Sequence, residues 1–89
     1  MQLALLDEHA VRLDTCGLPQ VPPEVLAKPK LRELILTKNL ISIVPPRIDR
    51  LAQLQVLRLD KNMLVELPRS IGKLRSLVLL DLSNNQVRG

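Results

Sequence analysis

The chain has 89 residues and a formal net charge of +4, with 46% apolar and 25% charged residues, so we expect one globular domain. It contains no phenylalanine, tyrosine or tryptophan, and an aliphatic core therefore requires regular, dense layers. The single cysteine excludes an internal disulfide, and no stretch approaches the ~20 apolar residues of a membrane-spanning helix. With Met1 as the true start there is no signal-peptide pattern, so we expect a cytoplasmic protein.

An internal repeat organises the chain. Its motif is L-x-x-L-x-L-x-x-N with an apolar residue two positions after the asparagine, and it begins at Leu31, Leu54 and Leu77, which are 23 residues apart. One period earlier, Glu8 replaces the first leucine, while the later apolar positions of the motif are kept. A constant period of this length is the signature of a stacked repeat architecture.

These starts divide a single domain into a cap and four units. The cap covers residues 1–7, the full units cover 8–30, 31–53 and 54–76, and a partial unit covers 77–89. Each unit should begin with a short strand, at residues 11–13, 34–36, 57–59 and 80–82 in turn. Alternation along the second strand directs Leu34 and Leu36 inward and leaves Glu33, Ile35 and Thr37 outward.

Prolines mark the return half of each full unit. Because proline suits the first helical positions, each site predicts a short helical or 3₁₀ turn: Pro22, Pro23, Pro45, Pro46 and Pro68. No unit can bury its apolar edge alone, so stacking must close a continuous core. The sequence therefore predicts an α/β solenoid.

The motif and the return segments, such as Leu67-Pro68 with Ile71 three residues later, resemble the intracellular leucine-rich-repeat family with 23-residue L-P-x-x-I units. Ras-suppressor-like and scribble-like scaffold proteins belong to that class. The resemblance covers about residues 8 to 87. It implies a right-handed superhelix with parallel strands on the concave face and short helical or 3₁₀ turns on the convex face.

The resemblance also implies a hydrogen-bonded ladder at the bend after each strand. In the family, an asparagine at this position bonds to backbone groups of the neighbouring turn, and cysteine is also accepted there. The corresponding residues of this chain are Cys16, Asn39, Asn62 and Asn85. A structural role thus accounts for Cys16 more simply than a reactive or metal-binding one.

Catalytic and metal-binding patterns are missing from the sequence. It has one histidine, His9, one cysteine, and three isolated glycines in place of a phosphate-binding loop. Cys/His spacing of the zinc type does not occur, and the serines from Ser42 onward lie too far along a rod-like stack to pair with His9. We therefore predict no enzymatic activity, no metal site and no cofactor.

The expected partner is another protein, bound at the concave strand face that the family uses. Outward positions in this region combine aliphatic and basic side chains, and we predict that the partner contacts Ile35, Lys38, Val56, Arg58, Lys61 and Met63. An apolar centre with a charged border is typical of protein-binding patches. The alternative is that aliphatic residues occur here only because branched side chains suit strands.

Two other functions remain open. The repeats could be the targeting or substrate-recognition segment of a larger multidomain protein, such as a ubiquitin ligase or a kinase. The basic residues expected on the convex side could instead attract nucleic acid or an anionic membrane surface. Nucleic acid is the weaker alternative, because the chain has no aromatic residue on which a base could stack.

The partial fourth unit stops before its proline return segment. Leu77, Leu80 and Leu82 would then lack a covering layer, and the last strand would present an open edge. We therefore expect a fragment of a longer solenoid, or else self-association through this edge.

Overall fold

The computed structural model describes residues 8–87, so the expected cap at residues 1–7 and the tail at 88–89 lie outside the described residues. Strands and 3₁₀ helices alternate along the chain: β1 (Ala10–Arg12), a first 3₁₀ helix (Pro23–Ala27), β2 (Glu33–Ile35), a second (Pro46–Arg50), β3 (Val56–Arg58), a third (Arg69–Lys73) and β4 (Leu79–Asp81). The strands form one parallel sheet in the order β1-β2-β3-β4. The predicted α/β solenoid is confirmed.

The register of the sheet reproduces the 23-residue period. Leu34 pairs with Val11 on one side and with Leu57 on the other, and Leu57 pairs in turn with Leu80. Equivalent residues of successive units therefore stack directly on one another. This places each column of outward side chains in a straight row across the sheet.

Each strand lies one residue earlier than the sequence predicted. The second runs from Glu33 to Ile35, whereas residues 34–36 were expected. Hydrogen bonding between units continues beyond the strand, since the N–H of Leu36 donates to the Arg58 carbonyl at 2.8 Å. These bonds between units extend to Lys38, whose N–H donates to the Asp60 carbonyl at 3.0 Å and whose φ of 58° begins the bend. The regular strand pairing of the sheet nevertheless ends at Ile35, one residue before the last inward leucine.

Proline shapes the return half of each unit. The first two 3₁₀ helices begin at Pro23 and Pro46, and the third follows directly after Pro68. Each helix ends in the same way, with the next backbone N–H donating to a carbonyl three residues earlier, as Leu51 does to Ile48. The predicted short turns are thus 3₁₀ helices, which bring the chain back along the opposite side of the core.

The core is a stack of aliphatic layers between the sheet and the 3₁₀ helices. The fully buried side chains with the largest volumes are Leu31, Leu34, Leu36, Ile41, Ile48, Leu51, Leu54, Leu57, Leu59, Leu64, Val11 and Val25. They come from the motif leucines and from the apolar positions of the return segments. Within residues 8–87, the structure holds no helix long and apolar enough to cross a bilayer.

Candidate functional site

Asn39 joins the first and second units through both ends of its side-chain amide. Its Oδ1 accepts hydrogen bonds from the backbone N–H groups of Cys16 and Leu18, both at 3.0 Å. Its Nδ2 donates to the carbonyls of Leu13 and Leu36, also at 3.0 Å. The side chain is only 5% exposed, so these bonds satisfy backbone groups that would otherwise lose water without replacement.

The same geometry recurs one and two units later. Asn62 donates to the carbonyl of Leu36 in the preceding unit and accepts from the N–H of Ile41. Asn85 repeats this with the carbonyl of Leu59 and the N–H of Leu64. The three asparagines thus fix the bend after each of these strands relative to the equivalent bend of the preceding unit.

Cys16 occupies the equivalent position in the first unit but behaves differently. Its side chain is exposed, and its thiol donates to the carbonyl of Asp14 in its own bend at 3.3 Å. Its contribution to the ladder comes from its backbone N–H, which donates to Asn39. Among the described contacts, Cys16 therefore takes part in the ladder as a backbone donor to Asn39, and not through its side chain.

The strand face is the side of the sheet opposite the core, with Glu33, Ile35, Val56, Arg58 and Leu79 in its rows. The structure places Ile35 and Val56 half-buried in the two central strands and Arg58 exposed beside them. Since Glu33 pairs with Val56 and Ile35 pairs with Arg58, each row places an apolar side chain beside a charged one in the two central strands.

Charged residues of the strand face bind one another across neighbouring strands. Arg12 Nε lies 2.7 Å from Glu33 Oε1, and Arg58 Nη1 lies 3.6 Å from Asp81 Oδ2. Asp81 accepts hydrogen bonds from the hydroxyl and from the backbone N–H of Ser83. Both bonds hold the pKa of Asp81 below its ordinary value, the hydroxyl bond more strongly than the backbone bond. Arg58 lowers this pKa further, while partial desolvation opposes the shift. A partner that binds Arg58 must therefore share it with Asp81.

Lys38, Lys61 and Met63 lie beyond the strands, in the loops that lead from each strand to the following 3₁₀ helix. All three are exposed. Both lysines have a φ of 58°, at the position of the unit where Thr15 and Asn84 are also left-handed. The structure therefore divides the six predicted contact residues between the strand face and these loops.

The loops carry a second exposed apolar surface, which we call the loop strip: Leu40, Ile43, Met63 and Val65. Ile43 is 70% exposed. Ile43 and Val65 were not among the predicted contact residues, because each is next to an inward residue, Val44 or Leu64, and repeat periodicity alone does not separate inward from outward neighbours. The polar residues Gln20 and Glu66 occupy the position of Ile43 in other units, and this is the sequence signal that the position faces outward.

No group of three or more His, Cys, Asp or Glu side chains within residues 8–87 could hold a metal ion. His9 Nε2 lies 4.0 Å from Glu8 Oε1 near the first strand, and neither residue is close in sequence to the loop strip or the central strands. The described surface thus offers side chains for binding, without a clustered set of metal ligands.

Comparisons with known proteins agree with this architecture. The family model described as leucine rich repeat matches residues 29–87. A leucine-rich-repeat protein of Leptospira interrogans is 44% identical, with a TM-score of 0.74 over 76% of this chain and 17% of its own length. The leucine-rich-repeat ectodomain of the receptor kinase SOBIR1 from Arabidopsis thaliana shares the fold at 18% identity, with a TM-score of 0.65 over 86% of this chain and 70% of its own. No curated protein matches the chain.

Proposed function

Since this chain belongs to the leucine-rich repeat family, we propose that it binds another protein through its strand face. Domains of this family generally mediate protein–protein interaction and are typically not enzymes. The observation that carries the proposal is the position of Ile35 and Val56. Both are aliphatic, only half-buried and central in the sheet, with the exposed Arg58 beside them. Burying such side chains against a partner is favourable.

The area of the strand face limits the affinity that this surface alone can provide. Four strands about 4.8 Å apart, each of three residues, span roughly 200 Å², whereas a standard interface takes about 800 Å² from each partner. The partner therefore also contacts the adjoining loops, where Lys38, Lys61 and Met63 are exposed. This agrees with the distribution of the six predicted contact residues over strands and loops.

We place the function in intracellular scaffolding or signalling. The 23-residue units resemble those of Ras-suppressor-like and scribble-like proteins, which supports this assignment. The exposed free thiol of Cys16 also suits a reducing compartment, where thiols stay unpaired. Fractionation of the cells that express the protein would test the location, and recovery of the protein outside the cell would contradict it.

Site-specific photocrosslinking tests the binding face. A photoreactive amino acid at Val56 should capture a partner protein, whereas the same amino acid at Arg75, exposed beyond the third 3₁₀ helix, should not. Arg58→Glu should weaken capture, while Arg75→Glu changes the net charge equally and should have little effect. Equal losses from both reversals would indicate diffuse electrostatic attraction and would overturn the proposal.

A second candidate is that the repeats form the recognition segment of a larger protein. The chain spans only 17% of the length of the Leptospira leucine-rich-repeat protein to which it is similar, so repeats of this kind occur within a longer chain. The open reading frame around the coding sequence tests it. A catalytic domain encoded in the same frame would support a targeting role for this chain, and a frame limited to these repeats would exclude it.

Self-association is a further proposal for the isolated chain. Val78, Leu79 and Leu80 are exposed in and beside β4. Among the described residues, β4 pairs only with β3, so its other edge keeps free backbone groups. Sedimentation equilibrium over a wide concentration range should show a dimer growing in with concentration, and a monomer at every concentration would contradict this.

A further inference from the structure

We propose that the loop strip is a second interaction surface, which receives an extended peptide segment carrying apolar and acidic residues. The strip lies on the loops between strands and 3₁₀ helices. Met63 is shared with the contacts proposed for the strand face, whereas Ile43 and Val65 line grooves that include no residue of that face. Its four aliphatic side chains, Leu40, Ile43, Met63 and Val65, are between 47% and 70% exposed. Such a concentration of exposed apolar surface on neighbouring loops is typical of a binding site.

The strip has a defined shape. Ile43 and Ser42 stand between two grooves, because both residues line each of them. The first groove, with a volume of about 430 Å³, is completed by Pro19, Gln20, Val21, Pro23, Leu26 and Pro45. The second, about 300 Å³, is completed by Val44, Pro46, Val65, Glu66, Leu67 and Pro68. Most of these lining residues are apolar, so each groove suits an apolar side chain.

The loops that carry the strip are held rigidly. The N–H of Leu40 donates to the Leu18 carbonyl, and the N–H of Met63 donates to the Ile41 carbonyl, both at 2.8 Å. The asparagine ladder fixes the same bends from inside. The strip is therefore ordered before it meets a partner, and binding loses little conformational freedom of the loops.

Groove spacing favours an extended occupant. The two grooves belong to successive units, which are about 4.8 Å apart at the sheet. An extended chain projects residues i and i+2 on the same side, about 6.7 Å apart, which is of the same order. Two apolar side chains separated by one residue can therefore enter the two grooves together, on either side of Ile43.

The charged residues near the strip indicate which polar side chains the partner peptide carries. Four basic residues border the strip in sequence: Lys38 and Lys61 precede its loops, and Arg47 and Arg69 follow the prolines that end them. None of the four has an ion pair among residues 8–87, in contrast to Arg12 and Arg58 on the strand face. The opposing charges are Glu66 in the second groove, Asp60 next to Lys61, and Asp49 near Arg47, of which Asp49 lies 4.0 Å from Lys73. Acidic residues of the partner therefore belong at the borders of the strip, next to the four cations.

Selection from a phage-displayed library of random peptides on the immobilised 89-residue chain tests the proposal. We expect selected peptides to combine aspartate or glutamate with apolar residues two positions apart. Apolar residues at helical spacing, three and four apart, would overturn the extended occupant, and basic peptides would overturn the charge argument. Absence of any enrichment would overturn the proposal as a whole.

Matched variants locate the binding of a selected peptide. Ile43→Ser should weaken binding by about tenfold or more, while Val78→Ser should not, although Val78 is even more exposed at 82%. Arg47→Glu should weaken it several-fold, and Arg75→Glu, with the same change in net charge, should leave it unchanged. Equal affinities of all variants would overturn the site. Photocrosslinking at Val56 tests the strand face and does not involve the groove residues of the strip. Its result therefore distinguishes failure of the peptide-binding proposal from failure of the proposal that a partner protein binds the strand face.

Discussion

The third and fourth units carry the same leucines in the same register, yet their burial differs. Leu57 is fully buried, whereas Leu80, which pairs with it in the sheet, is 37% exposed. The 3₁₀ helices show the same trend, since Ile48 of the second is buried and Ile71 of the third is only partly buried. No described residue packs on the outer side of the fourth unit. The motif thus specifies where a leucine points, and the next unit provides its burial.

This difference has an energetic consequence. In a stacked repeat, stability is approximately the sum of terms within units and terms between neighbours. An inner unit has two neighbours, while the fourth has one among the described residues. We therefore expect identical substitutions to have graded effects along the stack, with the largest effects in the second and third units.

Leu57→Ala is the substitution with the largest expected effect. It removes a fully buried side chain between two neighbouring layers, and the free energy of unfolding should fall by about 3 kcal/mol. Leu80→Ala, at the same position one unit later, should cost about 1 kcal/mol because part of that side chain is already in contact with water. Urea titration of both variants measures the difference. Equal losses would show that burial by the neighbouring unit does not set the energy.

Asn62→Ala should have the next largest effect. It removes the hydrogen bonds to the Leu36 carbonyl and the Ile41 N–H, and the free energy of unfolding should fall by about 1–3 kcal/mol. Asn85→Ala should cost less, because its bend is more exposed and water can replace the lost bonds. Thermal melting followed by circular dichroism compares the two. A midpoint unchanged by Asn62→Ala would contradict a stabilising role for the ladder.

The inner architecture was predictable because it depends on period and polarity alone. Motif leucines such as Leu34 recur every 23 residues, so their inward direction and stacking follow from the sequence. The predicted strand bounds were one residue late, since regular pairing in the second strand ends at Ile35, although hydrogen bonds between units extend to Lys38. The left-handed bend at Lys38 was not predicted, because no feature of a lysine indicates a positive φ.

The outer surface was less predictable, since it depends on contacts between units. The ion pair of Arg58 with Asp81 joins residues 23 positions apart, and it can be recognised only when the register of the third and fourth strands is known. The exposure of Ile43 depends on how the loop turns between Ile41 and Val44, which are both buried. Met63 of the loop strip was predicted to be outward, but local hydrophobicity does not separate the inward and the outward residues of such a loop, and Ile43 and Val65 were recognised only in the folded chain.

Lys61→Asn should produce a smaller effect, in the stabilising direction. Lys61 has a φ of 58°, which costs most L-residues energy, while asparagine tolerates this region better. We expect the free energy of unfolding to rise by about 0.5 kcal/mol. The fourth unit already has Asn84 at this position, and Asn84→Lys should reverse the sign with a smaller size because the unit has one neighbour. Denaturant titration checks both, and destabilisation by Lys61→Asn would mean that the lysine side chain makes a compensating contact.

The smallest expected effect concerns the pH dependence of the fourth unit. The pKa of Asp81 is lowered in the folded chain, chiefly by the Ser83 hydroxyl, which donates to Oδ1 at 2.7 Å, and to a lesser degree by Arg58. A carboxyl with a depressed folded pKa contributes stability above its ordinary value of 3.8, and that contribution is lost as the pH falls through the folded pKa. Carbon-detected NMR titration of the Asp81 carboxyl should show that Ser83→Ala returns the pKa toward its ordinary value more than Arg58→Gln does. A larger change from Arg58→Gln would make the ion pair between the third and fourth units the dominant cause. In that case the third unit would stabilise the fourth through this ion pair as well as through the packing of their leucines. A dominant effect of Ser83 would instead show that the stabilisation of the Asp81 carboxylate comes from the bend of the fourth unit itself.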